Sequence, residues 1–327
     1  MPHLISVLWL LLGIALLVGG AEILIRGATQ LAERLGVPKF VVGLTVVAFG
    51  TSMPELATGV GAVLKDQSDL IVGTVVGSNV ANIALVLGLA AVIRPARVRA
   101  GVVKREVPLL IIVSMALVIM LFGGTISRLE AAALTAGFVA FLGWTVYTSL
   151  RPGAEDAAII LEAEAEDDER VGIGQPPKVW LSLLWVALGL VGMILGSDRA
   201  VVGATSLAQA AGVPAFVIGL TMVALGTSLP EVVTTGMAAL KGHSDLAVGN
   251  VLGSNLFNVL CVLGISGLIG PLDVPEIAIR RDAWVMLGLT LALLPIMMTR
   301  ATVSRAEGCV LLVAYGAYIA AVGLGGS

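Results

Sequence analysis

The chain has 327 residues, 58% of them hydrophobic and 13% charged, with a formal net charge of −3 and a mean hydropathy of +1.03. A soluble domain carries about 25% charged residues, roughly twice the share here, so a water-soluble globule is excluded. Apolar runs recur along the whole length, each of the size that crosses a bilayer core of about 30 Å. The composition is that of a polytopic helical membrane protein.

Ten spans are expected in chain order, at roughly 4–25, 40–64, 70–92, 106–123, 129–150, 179–197, 213–240, 246–269, 283–299 and 307–325. The opening "MPHLISVLWLLLGIALLVGG" lacks a basic n-region and a small-residue cleavage site, so it is expected to stay as the first helix. Cys261 and Cys309 fall in apolar segments and are read as packing residues rather than a disulfide. Trp9, Trp144, Trp180, Trp185 and Trp284 fall mainly toward helix ends, where an aromatic belt or scattered hydrophobes would both place them. Residues 151–178 are polar, with eight acidic residues between Glu155 and Glu169, and read as a solvated linker without metal-ligand spacing.

The chain is duplicated. A shift of 176 residues lays Gly43–Gly88 on Gly219–Gly264, with 27 of 46 positions identical. "KREV" at 104–107 faces "RRDA" at 280–283, and "SRLE" at 127–130 faces "SRAE" at 304–307 after one inserted residue. The expected organisation is a five-helix repeat over 1–150, the acidic linker 151–178, and a second five-helix repeat over 179–327. An odd number of spans per repeat inverts one half against the other, an arrangement that recurs in transporters with a site at the repeat interface. Assigned to the ten spans, fourteen lysines and arginines fall on one side and five on the other. The inside-positive rule then puts both termini outside and the acidic linker in the cytoplasm of a plasma or inner membrane.

The duplicated core poses a chemical question. "VAFGTSMPELATG" at 47–59 and "VALGTSLPEVVTT" at 223–235 each carry a carboxylate, Glu55 and Glu231, inside an apolar span. Such a group costs several kcal/mol unless paired, hydrated or protonated. Pro54 and Pro230 precede them, cannot donate to the helix and crowd the carbonyl a turn earlier. Carbonyls around Ala48–Thr51 and Ala224–Thr227 are thus expected to be freed, beside the hydroxyls of Thr51, Ser52, Thr227 and Ser228. Irregular backbone at that depth is tolerated where it is buried in protein or lines a cavity. "VGSNVANIALVLG" at 76–88 and "LGSNLFNVLCVLG" at 252–264 add Asn82 and Asn258, each 27 residues after its glutamate. Gly77 and Gly253 are expected to let the backbones approach. Two carboxylates, amide oxygens, hydroxyls and carbonyls make an all-oxygen, dinegative set that suits a hard cation such as Ca²⁺; Na⁺ or protons would neutralise the same charges. Glu22 and Asp198 also align across the repeat and are expected to pair with Arg26 and Arg199 near helix ends.

The duplicated "GTSxPE" followed by "GSNxxN" resembles the signature repeats of the sodium/calcium exchangers, within the calcium/cation antiporter superfamily, and the likeness covers the whole chain. It implies an all-α integral membrane protein of two inverted five-helix repeats that exchanges Ca²⁺ for Na⁺ by alternating access. It also implies ion sites at the midplane between the second, third, seventh and eighth spans. Glu55 and Glu231 would be ligands shared by Ca²⁺ and Na⁺. Carbonyls of Ala48, Thr51, Ala224 and Thr227, with hydroxyls of Thr51, Ser52, Thr227, Ser228, Ser78 and Ser254, would complete adjoining sites, with Asn82 and Asn258 as the midplane pair. The first and sixth spans would slide across the rest. Several members carry aspartate where this chain has Asn258, which leaves stoichiometry and the use of Na⁺ against H⁺ open; "GTSxPE" rather than the "GNAxE" of proton-coupled relatives favours sodium. An H⁺-coupled antiporter and a cation channel are the alternatives. No prosthetic group is implied, and the partners are Ca²⁺, Na⁺ and the lipid bilayer, with no nucleic acid or protein. An enzyme is not supported: there is no HExxH, and His3 and His243 lie in a tail and a loop.

Overall fold

The computed structural model describes residues 2–150, 178–211, 224–298 and 301–324. The first half contains α1 (Pro2–Leu35), α2 (Lys39–Thr51), α3 (Met53–Val63), α4 (Asp69–Ile93), α5 (Glu106–Leu121) and α6 (Arg128–Leu150). The second contains α7 (Val179–Ala210), α8 (Ala224–Leu240), α9 (Ser244–Ile269), α10 (Ala278–Met298) and α11 (Arg305–Leu324). Among the described residues seven helices are long and apolar enough to cross a membrane, or eight if the bent pair α2–α3 is one span. The ten expected spans are not all met by that measure. Helix α5 has 16 residues and α8 has 17, and residues 212–223, into which the seventh expected span extends, lie outside the described residues, as does the linker 151–177.

Helix α1 continues ten residues past its expected end at 25. Nothing between Arg26 and Arg34 breaks a helix, and it stops only before Gly36, whose φ of 63° is left-handed backbone that favours glycine. At about 1.5 Å per residue its 34 residues exceed a bilayer core, so it must tilt or project. Helix α7, of 32 residues, matches it.

These two long helices pack antiparallel along their whole length on glycine stripes seven residues apart, Gly13, Gly20 and Gly27 against Gly189, Gly196 and Gly203. A Cβ on Gly20 would lie 2.8 Å from the Gly189 carbonyl oxygen, and one on Gly196 would lie 2.6 Å from the Leu17 amide nitrogen. Backbone meets backbone here, which only small residues allow.

Helices α4 and α9 form the buried centre; Val72, Val75, Leu252 and Leu256 are at most 1% exposed. The halves interlock around it. Helix α6 of the first half packs on the end of α9, and α11 of the second on the end of α4. Two short antiparallel ribbons join loops of opposite halves: β1 (Ala96–Arg97) with β4 (Thr302–Val303), and β2 (Thr125–Ile126) with β3 (Leu272–Asp273). The aligned "SRLE" and "SRAE" start α6 and α11 with the same reciprocal cap. Ser127 N donates to Glu130 Oε2 at 2.8 Å and Glu130 N to Ser127 Oγ at 3.3 Å; Ser304 and Glu307 repeat this at 2.7 and 3.3 Å.

Two expectations outside the core are settled here. Cys261 is buried, Cys309 is exposed and both are free. Asp198 pairs with Arg199 at 3.5 Å as expected, but Glu22 pairs with Lys241, just past the end of α8, rather than with Arg26. The continuation of α1 carries Glu22 into the helix interior, alongside the end of α8.

Candidate ion-binding site

The proline signals act differently in the two halves. Before Pro54 the helix breaks at Ser52 (φ −89°, ψ 7°), and α3 leaves α2 at a bend of 41°. Helix α8 instead runs unbroken through Pro230 over its described residues. The break also frees less backbone than expected, because the Ala48 carbonyl still accepts the Ser52 amide at 3.1 Å. The Thr51 hydroxyl also lies 3.4 Å from the same carbonyl oxygen, so both of its lone pairs have a donor at hand. Ala224 opens α8, and its side chain lies outside the described residues.

Four helical segments bring the polar residues together. Thr51, Ser52 and Glu55 come from the α2–α3 break, Ser78 and Asn82 from α4, Thr227, Ser228 and Glu231 from α8, and Ser254 and Asn258 from α9. Glu55, Glu231, Asn82, Asn258, Thr51, Ser52, Ser228 and Ser254 are each at most 1% exposed. Asn82 and Asn258 each open a π-helical turn, over Asn82–Leu87 and Asn258–Leu263. Such a turn widens the helix and occurs frequently at functional sites.

Hydrogen bonds cross between the halves. Ser52 Oγ donates to Glu231 Oε1 at 3.0 Å. Ser228 Oγ lies 3.5 Å from Ser78 Oγ. Thr51 and Ser254 also face Glu231, Thr227 faces Glu55, and the two carboxylates are close enough to act on each other. Ala48 packs on Gly253, where an added Cβ would lie 2.6 Å from the alanine Cβ. Gly77 differs from its counterpart: among the described residues nothing lies within 4 Å of a Cβ added there.

The oxygens left over define the chemistry. Among the described residues, both oxygens of Glu55, Glu231 Oε2, Asn258 Oδ1, both side-chain polar atoms of Asn82, Ser254 Oγ and Thr227 Oγ1 are buried without a hydrogen-bond partner. Buried polar groups are nearly always partnered, and two neighbouring carboxylates in a low-dielectric interior are expensive unless compensated. These orphans share one place between α3, α4, α8 and α9. Among the described residues no group of three or more His, Cys, Asp or Glu could hold a metal ion. The available set is two carboxylates with neutral amide and hydroxyl oxygens, which could hold a hard, weakly polarisable cation. A cavity of about 520 Å³ runs from Glu55 past Thr58 and Thr74 to Lys65 and Gln67 beyond the end of α3.

Three buried asparagines escaped the reading of the sequence. Asn79 and Asn255 are the first asparagines of the duplicated "GSNxxN". Asn258 Nδ2 donates to Asn79 Oδ1 at 3.2 Å, and Asn79 Nδ2 to the Asn255 carbonyl at 3.4 Å. Their duplication was the available signal. Asn250 had none, since its counterpart is Thr74. Its Oδ1 lies 3.3 Å from Thr51 Oγ1, and its Nδ2 donates to Thr235 Oγ1 at 3.0 Å.

Known proteins share both sequence and fold. The family model described as sodium/calcium exchanger protein matches residues 5–147 and 181–324. Inner membrane protein YrbG of Escherichia coli is 37% identical over 284 residues, covering 87% of this chain and 86% of its own. Sodium/calcium exchanger MaX1 of Methanosarcina acetivorans is 31% identical over 345 residues, covering 96% and 97%. The solved structure of the sodium-calcium exchanger NCX_Mj, soaked with 10 mM Na⁺ and zero Ca²⁺, superposes with a TM-score of 0.81 at 29% identity, covering 97% of this chain and 99% of that one. By sequence over nearly its whole length and by fold, the chain is a multi-pass membrane protein that belongs to the sodium/calcium exchanger family.

Proposed function

We propose that the chain is a secondary antiporter exchanging Ca²⁺ for Na⁺ by alternating access. Its ions bind among Glu55, Glu231, Asn82, Asn258, the hydroxyls of Thr51, Ser52, Ser78, Thr227, Ser228 and Ser254, and the carbonyls of Ala48, Thr51, Ala224 and Thr227. The observation that carries this reading is the group of buried, unpartnered oxygens around two glutamates. One Ca²⁺ offsets both carboxylates, as do two Na⁺, while the bare pair is costly to seal from water. A loaded site can therefore reorient where an empty one does not, and exchange follows without covalent chemistry. Ten spans in two inverted repeats, 1–150 and 179–327, would give the site its two-sided access, with both termini outside and the linker 151–178 cytoplasmic. The glycine-packed pair α1 and α7 is suited to move as one body across α3, α4, α8 and α9.

A second reading, coupling to H⁺, is favoured by the closeness of Glu55 and Glu231, since a proton on either would relieve their repulsion. Radiolabelled Ca²⁺ uptake into proteoliposomes decides between them. Uptake driven by an outward Na⁺ gradient supports Na⁺ exchange, and uptake driven only by a proton gradient supports the second reading. Flux without any counter-ion would make the protein a channel.

A further inference from the structure

The cavity that reaches Glu55 is lined by two charged groups, Glu55 and Lys65; the acids beside Lys65 in sequence, Asp66 and Asp69, do not line it. Glu55 is buried at one end and Lys65 is exposed at the other. The remaining lining is hydroxyl, amide and apolar. Duplication makes Lys241 the counterpart of Lys65. Lys241 is ion-paired with Glu22, whereas Lys65 has no ion pair among the described residues. A lysine without an ion pair among the described residues therefore stands over an approach to the buried Glu55 carboxylate, whereas its counterpart is paired.

We infer that Lys65 is a specificity-determining residue that disfavours divalent cations against monovalent ones on entry to the site from its own face. This rests on the proposal that Glu55 binds the transported cations. The physical basis is that an ion's local concentration depends exponentially on its charge times the potential, so the factor for Ca²⁺ is the square of that for Na⁺. The ten residues from Glu55 to Lys65 span about 15 Å at helical rise. In a water-like dielectric a unit charge at that distance changes occupancy roughly 1.6-fold for a monovalent ion and roughly 2.5-fold for a divalent one. Lys65 thereby helps Na⁺ compete with Ca²⁺ at this face without touching either ion in the site.

The test is Lys65→Gln, Lys65→Glu and Lys65→Arg in proteoliposomes, with half-saturating Ca²⁺ and Na⁺ measured separately at each face. Ionic strength is set at about 10 mM and then about 1 M with a salt whose cation is not transported; the Debye length falls from about 30 Å to about 3 Å between them. At low ionic strength, with a Debye length of about 30 Å screening the separation of about 15 Å, Lys65→Gln should lower half-saturating Ca²⁺ about 1.8-fold and Na⁺ about 1.3-fold, and Lys65→Glu should square both factors. The shifts should appear at one face, vanish at high ionic strength and be absent in Lys65→Arg. No shift, equal shifts for the two ions, shifts that survive high salt, or Lys65→Arg behaving like Lys65→Gln would each overturn the inference while wild-type exchange stands. A wild type that transports neither ion would overturn the exchange reading, and this inference with it.

Discussion

The Ser52 hydroxyl donates to Glu231 Oε1 across 3.0 Å, so a group from one half of the chain holds the carboxylate of the other. The reciprocal bond is not made. Ser228, the counterpart of Ser52, lies 3.5 Å from Ser78 instead, and both oxygens of Glu55 lack a partner among the described residues. Two halves built from one sequence motif thus meet in an asymmetric site. The break at Ser52 turns its hydroxyl across the interface, whereas α8 stays continuous past Ser228.

That asymmetry predicts unequal mutants. Ser52→Ala removes a bond to a carboxylate, worth about 1.5–3 kcal/mol when the acceptor is charged. Ser228→Ala removes a contact at the limit of hydrogen-bond length and should cost much less. Thermal unfolding in detergent without Ca²⁺ should fall further for Ser52→Ala. Equal losses would show that the two serines are equivalent in solution.

Glu55→Gln and Glu231→Gln should each leave a folded protein that scarcely transports Ca²⁺. Glutamine keeps the shape but removes one of two charges facing the ion. Removing one partner of a buried charge interaction costs about 2–5 kcal/mol, which is thirtyfold or more in affinity. Ca²⁺ uptake with wild-type half-saturation in either variant would remove the glutamates from the site.

The glycine stripes predict a matched pair of opposite outcomes. A Cβ at Gly196 meets the Leu17 backbone at 2.6 Å, while at Gly19, on the same helix pair, it meets nothing within 4 Å. Gly196→Ala should destabilise by about 1–3 kcal/mol through overpacking that no side chain can relieve. Gly19→Ala should be neutral or slightly stabilising, since alanine favours the helix by about 1 kcal/mol. Unfolding temperatures that move together would place α1 and α7 further apart than their backbones indicate.

What was legible in the sequence was whatever broke a local rule twice. Glu55 and Glu231 stood out because a carboxylate in an apolar span is costly, and duplication separated the polar residues around them from chance. What duplication hides is difference. Pro54 and Pro230 occupy equivalent positions, yet the helix breaks beside one and runs through the other over its described residues. Asn250 was invisible because its counterpart is a threonine. The Glu22–Lys241 pair joins positions far apart in the chain, and nothing local to either residue announces it. The end of α1 differs from expectation for a simpler reason: falling hydropathy after residue 25 marks where an apolar span ends, not where a helix ends, and Gly36 sets the latter.

The proposed orientation is tested by a cysteine in place of Glu162. With fourteen basic residues on the side that includes the linker, Glu162→Cys should react only with reagents that reach the cytoplasm. Labelling by an impermeant thiol reagent from outside intact cells would invert the topology, and with it the face on which Lys65 stands.

Asn258→Asp tests how the site counts charge. Asn258 is fully buried, and its Nδ2 donates to Asn79 Oδ1 at 3.2 Å while its own Oδ1 has no partner. A carboxylate there would give the site a third acid and set a carboxylate oxygen against the Asn79 carbonyl oxygen in place of a donor. Two remedies exist. The side chain holds a proton, which restores a donor toward Asn79, or the site takes a further cation. One bound Ca²⁺ offsets two carboxylates and leaves the third, so the variant should carry an extra Na⁺ or proton at some stage of its cycle. Ca²⁺ exchange should therefore change in its dependence on pH, and an additional charge crossing the full membrane field would add about 2.3 kcal/mol per 100 mV of voltage sensitivity. Asn82→Asp should shift the same properties, since the repeat makes the positions equivalent, but differently in size, because both polar atoms of Asn82 are without a partner and no donor is lost. Exchange measured against pH and against an imposed potential reads both effects. If neither variant alters either dependence, the two asparagines serve helix packing, and the ion pocket is confined to the glutamates and the hydroxyls beside them.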